Sequence, residues 1–431
     1  MGSPPRRAGP PPIAYLVGRY PAASHAFLLR QVEALRARGA ALETITIRSP
    51  RPEELRTAED REAARSTYRV LPAGPLKLLG SHLPALARSP RRYFATLAYA
   101  LRLGRGGARR RLWQLFYFAE SMIVVRRCRR LGVCHLHAQF ADTATDSALL
   151  ATHFEPDWSW SIAVHGPDEF AEAADNRLPE KLASARLVIA TSEHTRRRAA
   201  ELLDPGEAEK KLLAVRLGVD VGRFRPPDQR VAQAPQAPLR VLCLGRLVER
   251  KAQGVLIEAV AQLAGEGTQI ELTIAGEGPT RASLEQLTEA LGITARVRFT
   301  GVVGQDEALR LYRACDVFCL PSLAEGLPVV LMEAMSCGLP VLSTSIDAIP
   351  ELVADGENGL LVEPGDPRAL ADALRRLGSD PQLRSRLGRA GRATVAERFE
   401  SGRQAERLLS AFAGQGLAGE AGGVGELPDT E

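Results

Sequence analysis

The sequence predicts an α/β protein built from two doubly wound, Rossmann-like domains, and three observations lead there. Short apolar runs alternate with helical patterns along most of the chain, as a parallel sheet covered by helices requires. The alternation is interrupted by the Pro- and Gln-rich stretch "RPPDQRVAQAPQAPLR" and then starts afresh. At 431 residues the chain exceeds what one core usually serves and suits two or three domains. Two such domains in tandem place two rows of strand C-termini across a cleft, where ligands of open α/β sheets bind.

The elements follow in order. Residues 1–11 are Pro- and Arg-rich and are expected to be disordered. "IAYLVGRYP" reads as a strand running to Gly18, "FLLRQVEALRARG" as a helix and "LETITIRS" as a second strand, which together make a βαβ unit. "CHLHAQF", "WSIAVHG", "ARLVIATS" and "KLLAVRLGVD" supply further strands of a first domain over residues 12–221. Residues 222–238 read as a linker. A second domain over 239–395 takes its strands from "LRVLCLG", "IELTIAGEG", "VRFTGVV", "DVFCLPS" and "PVLSTSI". A C-terminal helix over 396–413 is expected to pack back on the first domain, and the Gly-rich, acidic residues 414–431 to be disordered.

Composition narrows the function classes. With 45% hydrophobic and 25% charged residues, the chain reads as soluble and globular. No run of about 18 apolar residues occurs, and the N-terminus lacks the hydrophobic segment of a secretory signal, so the cytoplasm is the expected compartment. Cys243, Cys315, Cys319 and Cys337 lie in apolar stretches and read as buried reduced thiols. The net charge of +5 is unevenly spread. Between Arg88 and Arg130 the basic clusters contain a single acid, Glu120, and are interleaved with Trp113, Phe116, Tyr117 and Phe118. Such a stretch suits peripheral contact with an anionic membrane through residues 88–130, against the plainer reading of a solvated basic face. Nucleic acid is not expected as a partner, because no zinc-finger spacing or RNA-binding aromatic signature occurs.

Chemistry-bearing residues concentrate in the second domain. In "VLCLGRLVERKAQG" a strand ends at Gly245, where backbone can approach a ligand, and Arg246 and Lys251 follow, two cations suited to a diphosphate. Lys251 is one of only five lysines in a chain whose basic residues are otherwise arginine. "TIAGEGPTRAS" imitates a dinucleotide fingerprint through Gly276 and Gly278, but Arg281 stands where the third glycine belongs, so it reads as a strand-to-helix turn. In "SLAEGLPVVLMEAMSCGLP" a helix is expected from Pro328 to Gly338, with Glu325 before its mouth and Glu333 inside it. Eight residues of helical rise would separate the two carboxylates by up to about 12 Å. That span suits one acid for the hydroxyls of each of two sugars, with the helix mouth between them for a diphosphate.

These residues resemble the GT-B fold, family 4 retaining glycosyltransferases, which carry E-x7-E, here Glu325 and Glu333. "GRLVERKA", "AGEGP", "FTGVV" and "SLAEGLPVVLMEAMSCGLPV" occur in the family's order and spacing. The N-terminal half is similar to bacterial colanic acid and exopolysaccharide glycosyltransferases through "RYPxxSxxF", "HLHAQFADTAT" and "HGPDEF". The resemblance implies a nucleotide-diphosphate sugar donor, UDP- or GDP-linked, with Arg246 and Lys251 on its diphosphate. It implies Glu333 on the ribose, and Glu325 with the backbone of Gly326, Leu327 and Pro328 on the transferred sugar. Val302 and Val303 match the loop under the nucleobase, and His165 the histidine reaching the transferred sugar. Gly18 takes a loop position near the diphosphate, although the family's paired glycine is replaced by "GRYP". The implied reaction retains anomeric configuration, moving a hexose or N-acetylhexosamine to a hydroxyl acceptor, a lipid-linked one included, in polysaccharide or glycolipid synthesis. No D-x-D motif occurs, so no metal or other cofactor is expected. A soluble natural-product acceptor and a sugar-nucleotide epimerase are the alternatives.

Overall fold

The computed structural model describes residues 12–22, 26–55, 57–227 and 237–415. The expectations for residues 1–11, for 228–236 of the linker and for the tail from 416 onward lie outside the described residues. The chain forms two compact units. The first takes the chain up to Thr191, Arg196–Val215 and everything from Ala405; the second takes Ser192–Thr195 and Arg216–Gln404.

The first unit holds β1 (Ile13–Arg19), β2 (Leu42–Arg48), β3 (Tyr68–Arg69), β4 (His135–Gln139), β5 (Ser159–Val164), β6 (Leu187–Ala190) and β7 (Leu212–Ala214). They form one parallel sheet in the order β3-β2-β1-β4-β5-β6-β7. Successive side chains of a strand point to opposite faces, and β1 shows why both faces are apolar. Ala14 and Leu16 enter one core, while Ile13, Tyr15 and Val17 enter the other. On the first of these faces lies a three-helix segment between β3 and β4: Pro75–Arg88, Pro90–Leu103 and Ala108–Leu131. Buried Ala85, Ala100, Phe118 and Met122 attach it to that core.

The other face is closed by the helix Ser401–Gly414, which contributes Ala405, Leu408 and Phe412. Where one helix was expected over 396–413, the preceding helix runs to Arg398 and a new one starts at Ser401. Glu400 explains the break, because its carboxylate accepts from the backbone N–H of Gly402 and Arg403, both at 2.7 Å, and caps the new helix.

In the second unit β8 (Leu239–Leu244), β9 (Ile270–Ala275), β10 (Val297–Gly301), β11 (Val317–Leu320), β12 (Val341–Thr344) and β13 (Leu360–Val362) form a parallel sheet in the order β10-β9-β8-β11-β12-β13. Alternate residues, among them Val241, Cys243, Leu272, Ile274, Val317 and Cys319, fill its core. The strand order reverses between β1 and β4 in one sheet and between β8 and β11 in the other. Those are the points where crossovers diverge to opposite faces and leave room at the strand C-termini. The sequence reading passes over β3 and β13, which at two and three residues are too short to show a period. No helix among the described residues is long and apolar enough to cross a membrane.

Candidate active site

Four loops of the second unit meet at the C-terminal ends of β8, β9, β10 and β11. After β8, Leu247 accepts the N–H of Thr280 at 3.2 Å and donates its own to Glu277 at 2.9 Å. Gly276 N–H donates to Gly301 O at 2.8 Å, tying the loop after β9 to the end of β10. These approaches leave no room for side chains: a Cβ on Gly276 would lie 1.8 Å from Gly245 O, and one on Gly278 2.0 Å from Leu247 O. The glycines of "AGEGP" are therefore needed to pack loop on loop, Gly276 with a φ of +148°. Arg281, where a fingerprint's third glycine would stand, pairs instead with Glu277 and with Glu285 one helical turn away.

Lys251 closes a short 3-10 turn over Glu249–Lys251, ahead of the helix Gln253–Gly265. Leu323 N–H donates to Arg250 O at 2.7 Å and draws the loop after β11 alongside that turn. The consequence is an ion pair between Lys251 Nζ and Glu325 Oε1, with the two side chains only 12% and 7% exposed. Glu325 Oε1 also accepts from Ser322 Oγ at 2.6 Å, and Glu325 N–H donates to Asp347 Oδ2 at 2.8 Å. Asp347 is held at a φ of +46° and lies 3.6 Å from His194 Nε2. A buried carboxylate needs such partners, and here a cation, a hydroxyl and a fixed backbone supply them.

The helix after β11 spans Val329–Ser336, one residue later than expected at its start. Pro328 is its N-cap, with extended backbone (φ −77°, ψ 111°), and is not its first helical residue. Only the stretch from Val329 to Glu333 is helical between the two glutamates, so the helical rise of about 1.5 Å per residue applies to half of the eight-residue interval. Its far end is closed by Gly338 at φ +70°, with Leu339 N–H donating to Ala334 O at 3.1 Å. Glu333 is buried, and its Oε2 accepts from the Tyr312 hydroxyl at 2.9 Å. Gly326 follows Glu325 in the loop, and Leu327 and Pro328 are buried at its end.

The remaining second-unit residues lie around this group. Arg246 is exposed on the loop after β8, and its carbonyl accepts from the buried Gln253 side chain at 2.9 Å. Gly245 precedes it, and a Cβ there would meet Lys251 Cε at 3.8 Å, an ordinary contact. Glycine is thus not forced at that position by the protein itself. Val302, 37% exposed, and Val303 follow β10. Sequence reasoning missed Ser322, Tyr312, Asp347 and Gln253. Ser322 carries a signal in hindsight, since S-x-x-E is a spacing at which the two side chains can meet across one turn.

Gly18 and His165 belong to the first unit. Gly18 lies near the end of β1, where a Cβ would stand 2.2 Å from Oδ2 of Asp142, the N-cap of the helix after β4, so a side chain there would have to displace that carboxyl. Burial raises the Asp142 carboxyl to about 6, despite its capping bond to Ala144 N–H. His165 follows β5 directly; its Nε2 is 2.7 Å from Gln139 Oε1 and its ring lies against Phe140 and Phe27. Glu169 holds this corner by accepting from the backbone N–H groups of His165, Gly166 at 3.1 Å and Ala141 at 2.8 Å. Burial pushes its carboxyl up to about 7.

Residues 224–394 match the family profile described as glycosyl transferases group 1. A D-inositol 3-phosphate glycosyltransferase of Streptomyces avermitilis is 35% identical over 289 residues, covering 64% of this chain and 59% of that protein. An Escherichia coli protein named for colanic acid biosynthesis is 39% identical over 182 residues, 41% of this chain and 44% of its own. The chain thus spans less than two thirds of the length of these relatives. Among solved structures, Anabaena HepE in complex with UDP and glucose has a TM-score of 0.70 at 18% identity, over 93% of this chain and 99% of HepE. That likeness is one of fold, and it agrees with the two parallel sheets. Residues 224–394 are thus similar to the glycosyl transferases group 1.

Proposed function

We propose that the protein is a retaining glycosyltransferase that moves a hexose or N-acetylhexosamine from a nucleotide-diphosphate sugar to a hydroxyl acceptor. The observation that carries this reading is the buried Lys251–Glu325 pair beside the mouth of the helix Val329–Ser336. Arg246, Lys251 and that helix mouth offer positive charge where a diphosphate leaves. Glu325 and the backbone of Gly245 and Gly326 to Pro328 take the transferred sugar, Glu333 the ribose, and Val302 and Val303 the base. The acceptor oxygen bonds to the anomeric carbon as its bond to the phosphate oxygen breaks, on the same face, and the acceptor proton passes to the leaving phosphate. No step of this sequence calls for a metal. A screen of UDP-, GDP-, ADP- and dTDP-sugars tests the reading, with UDP first because HepE carries it. Transfer with an α-donor giving an α-product supports it; conversion of UDP-GlcNAc alone into an epimer, or no turnover of any donor, overturns it.

The named relatives, for colanic acid and for an inositol phosphate, favour acceptors in polysaccharide or glycolipid synthesis. The three-helix segment supports an acceptor presented at the inner face of a membrane. Leu76, Leu79 and Leu83 recur at helical spacing on the first helix and are exposed, Leu76 by 86%. Phe94 and Leu101 are exposed on the second, and Leu112, Trp113, Leu115 and Phe116 on the third. Thirteen lysines and arginines lie between Pro75 and Leu131 against one acid, Glu120, which is buried. Apolar side chains rimmed by exposed arginine match an anionic bilayer surface, where each nearby basic residue adds about 1 kcal/mol. The surface reaches beyond residues 88–130 to Leu76. Binding to phosphatidylglycerol vesicles in low salt is expected, with Trp113→Ser/Phe116→Ser weakening it about tenfold or more. Equal sedimentation with neutral and anionic vesicles removes this part of the proposal.

A further inference from the structure

The loop after β11 is held along its length by residues of β12 and of the loop that follows it, all within the second unit. Ser343 Oγ donates to Leu320 O at 2.7 Å, and Thr344 Oγ1 donates to Ser322 O at 2.6 Å. Asp347 supplies the third hold, its Oδ2 accepting the Glu325 N–H at 2.8 Å. The register explains the order: β11 and β12 are neighbouring parallel strands with Leu320 opposite Ser343, so the residues that leave them run side by side. Asp347 is itself surrounded by fixed groups. Its Oδ1 lies 3.6 Å from His194 Nε2, and the backbone N–H groups of Glu193 and His194 donate at 3.0 and 2.7 Å to Glu351, in the short turn Ile349–Glu351 that follows Asp347.

A φ of +46° carries a steric cost for any residue with a Cβ, and none for glycine. Asp and Asn bear that cost best among the other residues. Asp347 therefore stands where backbone ease alone would favour glycine, and what it adds is a carboxylate on the Glu325 backbone. The Glu325 side chain shows what that hold preserves. Both of its protein donors, Lys251 Nζ and Ser322 Oγ, meet Oε1. Oε2 meets no donor among the described residues and is not sealed from solvent. A carboxylate has two lone-pair sites on each oxygen, so the protein occupies one oxygen and leaves the other whole.

We propose that Asp347 is a positioning residue: by holding the Glu325 backbone it keeps Oε1 on Lys251 and Ser322 and presents Oε2 as the one oxygen open to a donor hydroxyl. This rests on the reading of Glu325 as a donor-sugar residue and deepens it. With Oε1 already taken twice, Glu325 reads the position of hydroxyls through a single oxygen, and its aim is set by a residue that touches no ligand.

Two variants of the full chain test this. Asp347→Gly removes the acceptor and suits the positive φ, whereas Asp347→Asn keeps an acceptor carbonyl and tolerates the same φ. With the sugar nucleotide found in the donor screen, kcat is expected to fall roughly tenfold in Asp347→Gly, as for one lost hydrogen bond to a charged group, and to stay within about threefold of wild type in Asp347→Asn. Calorimetry with the parent nucleoside diphosphate should show unchanged affinity in both. Wild-type kcat in Asp347→Gly, an equal loss in the two variants, or a matching loss of nucleotide affinity overturns the proposal. Amide hydrogen exchange gives a reading that needs no turnover: the Glu325 amide is expected to be protected in wild type and in Asp347→Asn, and released in Asp347→Gly. A fast-exchanging Glu325 amide in wild type overturns the proposal even if Asp347→Gly does not fold. The glycosyl-transfer reading fails separately, by absence of donor turnover in a wild type whose Glu325 amide is protected.

Discussion

Lys251→Met lowers sugar transfer at saturating donor by roughly 10²–10³-fold, the usual loss when one fixed group facing a developing negative charge is removed. The structure adds a second expected effect. Lys251 Nζ is committed to Glu325, a buried carboxylate, so the variant leaves that charge without its cation. Breaking such a buried pair costs about 3–5 kcal/mol, read as a lower urea midpoint. Lys251→Met/Glu325→Gln removes both charges, and the amide carbonyl that replaces the carboxylate can still accept from Ser322 Oγ. The double variant should regain most of the lost stability and none of the lost turnover. Recovery of both would make the pair a structural ion pair and nothing more.

Glu333→Ala weakens binding of UDP, and of every UDP-sugar alike, by tenfold or more, while the rate at saturation changes little. A charge-assisted hydrogen bond contributes about 1.5–3 kcal/mol, and a carboxylate on a ribose can accept two. The Tyr312 hydroxyl donates to it at 2.9 Å, so Tyr312→Phe should show a weaker form of the same defect. Glu325→Ala, in contrast, should depress turnover and alter the choice among sugars on one nucleotide. Calorimetry with UDP and with UDP-sugars separates the two, and equal effects of both variants on every ligand would sink the division of labour.

The parts of the fold legible in sequence were those with a period long enough to read. Eleven of the strands sit in apolar runs that stand out, whereas β3 and β13 are too short. Spacing and charge single out Glu325, Glu333, Arg246 and Lys251, and the structure pairs Lys251 with Glu325 and gives Glu333 the Tyr312 hydroxyl. Partnership itself is not legible in sequence, because it is set by tertiary contact: Tyr312 sits in the amphipathic helix Gln305–Ala314 and looks like a core aromatic, which it also is. Asp347 follows β12 with no motif around it.

The helix Ser401–Gly414 bears on the order in which the protein is made. Ala405, Leu408 and Phe412 finish a core whose other members, such as Tyr15, Leu28 and Val32, leave the ribosome first. About 190 residues separate Val215 from Ala405, roughly 10–40 s of translation at ~5–20 residues per second. During that interval the earlier half of the chain carries an uncovered apolar sheet face. The half that is synthesised first is therefore completed last, and a nascent chain stalled before Ala405 should present a surface for chaperones.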